Sequence, residues 1–116
     1  MKRHRDNAEH YRWGDGCDGW HLLQSETLSV IEEQMPPGAS ERLHFHQHAQ
    51  QFFYLLKGEA LLEVNGESIR LSAREGLHIS PGAQHRITNT SSETLEFLVI
   101  SEPPSHGDRI NVEGKS

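Results

Sequence analysis

The chain has 116 residues and a formal charge of −6 with its nine histidines neutral; that length suits one domain with a core too small to be deep. An acidic balance without any run of Lys or Arg argues against a nucleic-acid partner, because phosphates would be repelled. No apolar stretch follows the basic start Met1–Arg5, no segment is long enough for a membrane span, and the single Cys17 can form no internal disulfide, so a reducing cytoplasm is the expected setting.

In chain order, residues 1–21 read as a polar arm carrying Trp13 and Trp20, which would cover a barrel mouth or a dimer edge. Residues 22–105 change to short apolar runs cut by turns, and residues 106–116 form a polar tail. The runs read as strands over 28–35, 42–46, 51–56, 59–64, 67–71, 77–80, 85–89 and 95–101. Pro36-Pro37-Gly38, Lys57-Gly58, Pro81-Gly82 and Pro103-Pro104 end four of them. Asn65-Gly66 is the strongest hairpin signal in the chain. No sustained helical period is present, so the expected class is all-β, a sandwich or closed barrel of antiparallel strands.

Histidines cluster where chemistry would need them. In a strand, alternate residues face one side, so His44 and His46 project together, with Arg42 at the same parity. Two imidazoles at that spacing can grip one metal ion; the bland reading is a polar strand face. On Gln51–Leu56, Phe53 and Leu55 share the parity of Gln51 and would line a pocket wall, while Phe52, Tyr54 and Leu56 face the other way.

The stretch from Gly38 through His44, His46 and Gln51 to Gly58 resembles the first motif of the cupin family, with every spacing kept. That motif runs Gly, His-x-His, Glu, Gly. The stretch from Arg74 through Ser80-Pro81-Gly82 and His85 to Asn89 resembles the second motif. Arg74 stands where the family usually has Gly, Ser80 where it usually has Pro, and Gln51 where it usually has a Glu ligand. The resemblance covers residues 28–101 and implies a jelly-roll barrel of two antiparallel sheets, commonly a homodimer. It also implies one divalent transition metal per chain (Zn, Fe, Mn or Ni), held by His44, His46, Gln51 and His85. Exchanging a carboxylate for an amide would leave the site nearer +2 than +1, a stronger Lewis acid towards an anionic ligand. Some cupins acting on unsaturated uronic acids show a similar His, His, Gln, His set.

Other residues could serve such a site. Arg42 would meet a substrate carboxylate, or else form a surface ion pair with Glu41. His78 would shuttle a proton if it faced inward, and His48 would reach the mouth or solvent. Of Glu32 and Glu33 only one can face the interior, where it would act as a base. Cys17, beside Asp15 and Asp18, has no basic neighbour to make it a nucleophile.

Three functions are compatible with the resemblance: a metal-dependent isomerase or lyase on a small polar sugar-derived or carboxylate substrate, an Fe(II)-dependent dioxygenase, or a non-catalytic binding module. The amide at position 51 and Arg42 favour the first and an anionic substrate. Fold alone does not choose among them.

Overall fold

The computed structural model describes residues 1–105 and 107–112. A single 3-10 turn, Arg5–Asn7, precedes the strands. These are β1 (Glu9–Trp13), β2 (Cys17–Gln24), β3 (Ser29–Met35), β4 (His44–His46), β5 (Gln50–Lys57), β6 (Glu59–Val64), β7 (Glu67–Ser72), β8 (Gly76–Ile79), β9 (His85–Asn89), β10 (Leu95–Glu102) and β11 (Arg109–Asn111). They form two antiparallel sheets, β1-β2-β3-β10-β5-β8 and β11-β4-β9-β6-β7. This is the jelly roll expected from the sequence, and no helix among the described residues is long and apolar enough to cross a membrane.

The inner faces change character from one end to the other. Along β10 the inward side chains are Leu95, Phe97, Val99 and Ser101; along β5 they are Leu55, Phe53 and Gln51. Register sets Leu95 opposite Met35, and Ser101 opposite both Ser29 and Gln51. One end is therefore packed with apolar side chains, where burying each large one stabilises the fold by roughly 1.5–3 kcal/mol. The other end gathers buried polar groups that must find partners. Asn89 closes the apolar floor: its Nδ2 donates to the carbonyls of Met35 (3.0 Å) and Glu93 (2.9 Å).

Strands 28–35 through 95–101 form as expected, with ends shifted by a residue or two. The stretch 1–21 supplies β1 and the start of β2, which extend the first sheet, and β11 pairs with β4. Charged residues scattered along the first two (Glu9, Arg12, Asp18) and the three-residue length of β11 hide the period from sequence reading. Arg74, in the family's glycine position, takes φ +74°, so the turn keeps its left-handed shape with a side chain that resists it.

Candidate metal centre

The site grows from the edge of the second sheet. His44 is the Cα partner of His85 across β4 and β9, and His46 follows His44 on the same face. All three imidazoles are buried, with ring centroids 4.4–5.7 Å apart. The Nδ1 of His44 meets the Arg42 carbonyl at 2.8 Å, and the Nδ1 of His85 meets that of Ala83 at 2.9 Å. Donating there fixes the tautomer and leaves each Nε2 with a lone pair.

One nitrogen from each of His44, His46 and His85 lies within 4.8 Å of the others. His85 Nε2 and His46 Nδ1 are buried without a hydrogen-bond partner among the described residues. Buried polar atoms are rarely left so. Burial pushes the His44 imidazole down to about 3, with the neighbouring His85, Arg109 and His46 adding to it. Burial also takes His46 down to about 4 and lowers His85. The rings are therefore neutral at physiological pH, the form that binds a metal. These three histidines could hold a divalent ion of intermediate hardness, since imidazole suits Zn, Fe and Ni alike.

Gln51 sits opposite Ser101 and donates from Nε2 to its hydroxyl at 3.0 Å. That bond leaves the amide oxygen buried and without a partner among the described residues. Gln51, His44 and His46 line one cavity of about 280 Å³ together with Glu33, Glu41 and Arg109.

Of the glutamate pair on β3, Glu33 faces this cavity. Glu32 faces outward to Arg5 at 2.7 Å, and the Arg5 guanidinium lies 4.1 Å from the Trp20 ring centroid. Tyr11 reaches Glu33 from β1, its hydroxyl donating to Oε2 at 2.5 Å. The ring can cross only because residue 19 is glycine: a Cβ there would lie 2.2 Å from Tyr11 Cζ. Burial pushes the Glu33 carboxyl up to about 7, against the Tyr11 hydrogen bond and the Arg109 charge. Burial and the Glu33 charge push Glu41 up to about 8, although its Oε1 accepts from the Ile87 amide at 3.1 Å. Two carboxyls poised near neutrality in one cavity can give or take a proton.

Arg42 and His78 are not brought to this cavity. β4 begins at His44, so alternation does not extend back to Arg42, which is exposed. On β8, Ile79 is the inward partner of Gln51, which turns His78 outward, where its Nε2 pairs with Gln50 Oε1 at 2.8 Å. His48 is exposed, while Trp13 packs against the core and lines the cavity. Cys17 is buried and free, its thiol pushed up to about 11 by burial and then by Glu33, as expected for an unreactive cysteine. Sequence reading missed Tyr11, Glu41 and Arg109 as cavity residues. The available signals were Gly19 breaking an alternating stretch, which marks close approach of another group, and little else.

A family model described as a cupin domain matches residues 31–101. An oxalate-binding protein of Thermotoga maritima is 32% identical over 85 residues, 69% of this chain and 70% of that protein. An uncharacterized protein of Methanocaldococcus jannaschii is 31% identical over 114 residues, 93% of this chain and 91% of that one. Among solved structures, one titled a predicted oxalate decarboxylase from Thermotoga maritima superposes with a TM-score of 0.82 at 24% identity, over 90% of this chain and all of that one, a likeness of fold.

Proposed function

The chain belongs to the family of cupin domains, and from that premise we propose that it is a metal-dependent isomerase or lyase acting on a small polar substrate that bears a carboxylate. His44, His46 and His85 would hold the metal, and the amide oxygen of Gln51 would be offered to it as a fourth ligand. The observation that carries the reading is the meeting, in one cavity, of the histidine-lined face with the Glu33–Tyr11 pair. Ser101 supports the assignment of Gln51, because it occupies the amide nitrogen and leaves the oxygen free.

A divalent ion bound there would supply Lewis-acid polarisation of a carbonyl or carboxylate oxygen. The chain's own residues do the rest. Glu33, ionised above about 7, takes a proton from the carbon beside the substrate's carbonyl or carboxylate. It then returns that proton to a neighbouring atom in an isomerase, or the electron pair expels a leaving group in a lyase. Tyr11 holds the Glu33 carboxylate in place through its hydroxyl. Phe53 and Val99 form an apolar wall to the same cavity, which limits water around the reacting atoms. The pairing with a second copy expected from the small core belongs to the same proposal, with the exposed Phe52 and Leu56 as apolar side chains it would cover.

A second reading is supported by the relative named an oxalate-binding protein: a cupin that holds a small anion without turning it over. One experiment separates them. The zinc-, nickel-, manganese- and iron-loaded protein is incubated in deuterium oxide, with and without oxygen, with a panel of 2-oxo acids, 2-hydroxy acids and uronic acids, and followed by proton NMR. Metal-dependent exchange or conversion, abolished by Glu33→Gln, is expected. Binding without exchange on any member of the panel would favour the second reading, and turnover that requires oxygen would contradict both.

A further inference from the structure

Among the described residues lining the histidine cavity, Arg109 is the one Lys or Arg. Its position follows from the sheet. On β11, Arg109 is the Cα partner of His46 and Asn111 that of His44. Opposed residues of an antiparallel pair present their side chains on one face. Arg109 and Asn111 therefore share the face of the histidines, and Ile110, opposite Phe45, shares the outer one. The Arg109 Nε donates to Asn111 Oδ1 at 3.0 Å, which fixes the plane of the guanidinium and leaves its two terminal nitrogens to other partners.

No carboxylate among the described residues comes within 4.0 Å of that guanidinium, although Glu33 and Glu41 line the same cavity. Its charge nevertheless reaches the interior, opposing the burial that raises both glutamates and disfavouring the charged forms of His44, His46 and His85. An arginine held by one nitrogen, over a cavity and without an ion-pair partner, offers the forked donor geometry that fits a carboxylate.

The strand that carries it is itself tied down. The Asp108 carboxylate accepts from the backbone amides of Gln47 (3.1 Å), His48 (3.0 Å) and Ala49 (2.9 Å). Those amides form the turn between His46 and Gln51. One residue thus fixes the loop joining two proposed ligands, and the next residue reaches over them.

We propose that Arg109 is the anion-recognising residue of this cavity, gripping the carboxylate of a small organic acid whose neighbouring oxygen points towards the histidine cluster. The inference rests on the proposed function for the choice of site and names the residue that selects its substrate. Arg109 takes the role that parity had suggested for Arg42.

The test is calorimetric titration of the full chain with pyruvate and galacturonate, beside their uncharged counterparts pyruvamide and galactose. Wild type, Arg109→Gln, Arg109→Lys and Arg42→Gln are compared, with metal content measured on each sample. The expected result is binding of the two acids but not of the neutral probes. Arg109→Gln weakens it about tenfold or more, Arg109→Lys recovers part, and Arg42→Gln binds as wild type does. Equal affinity in wild type and Arg109→Gln, equal binding of charged and neutral probes, or failure of wild type to bind either acid would overturn the proposal. A wild type that takes up no metal on loading would sink the proposed function and still leave the Arg109 comparison readable, because a guanidinium grips a carboxylate without help from a metal.

Discussion

At the scale of single residues, the centre is made by what each polar group is denied. Ser101 takes one end of the Gln51 amide, and the carbonyls of Arg42 and Ala83 take one nitrogen each from His44 and His85. Those partners orient the remaining atoms, so the direction each donor atom presents is set by its neighbours. The Tyr11–Glu33 hydrogen bond works in the same way on a proton. It stabilises the ionised carboxyl and so opposes the burial that raises Glu33 to about 7. Removing it in Tyr11→Phe leaves desolvation with less opposition. The Glu33 side-chain carboxyl signal, followed by carbon-13 NMR in the metal-free protein, is expected to titrate at a higher pH in the variant than in wild type. An unchanged or lower midpoint would show that the tyrosine does not hold the carboxylate.

At the scale of elements, the histidine-bearing strand was legible because a period of two is simple to read. His44, His46 and Gln51 stand at fixed spacings between Gly38 and Gly58, and His85 follows Gly82 at the spacing of the second motif. What reaches the site across strands was not legible. Tyr11 arrives by crossing Gly19, Glu41 lies before its strand begins, and Arg109 sits on a three-residue strand of exposed residues. His78 failed for a related reason: parity says which residues share a face, but only register with β5 says which face is inward. Asp108 illustrates how much one long-range contact can do. Its bonds to three amides about 60 residues away join β11 to the turn after β4. They also favour its ionised form against the desolvation that opposes it. Asp108→Asn keeps the shape but loses the charge, and two acceptor sites become donors facing donors. A loss of about 1–3 kcal/mol, several degrees in thermal midpoint, is expected by calorimetry. A midpoint equal to wild type would mean that the turn holds itself.

At the scale of the whole molecule, the two ends of the barrel divide the work. Leu55, Leu62, Ile87, Leu95, Phe97 and Met35 pack one end to completion, and the polar residues collect at the other. An end lined with His, Gln, Ser and Glu contributes little hydrophobic stabilisation, so the fold gains most there from a ligand that satisfies its unpaired atoms. Binding to the folded chain at a hundredfold excess over Kd would add about 2.7 kcal/mol. The measurement that tests this most directly is the metal content of untagged wild type beside His44→Ala and Gln51→Ala, by elemental mass spectrometry after loading with zinc, iron, manganese or nickel and removal of the excess. About one ion per chain in wild type, none in His44→Ala and a weaker hold in Gln51→Ala is the predicted result. A wild type that takes up no ion, or a His44→Ala variant that retains as much as wild type, would contradict the account.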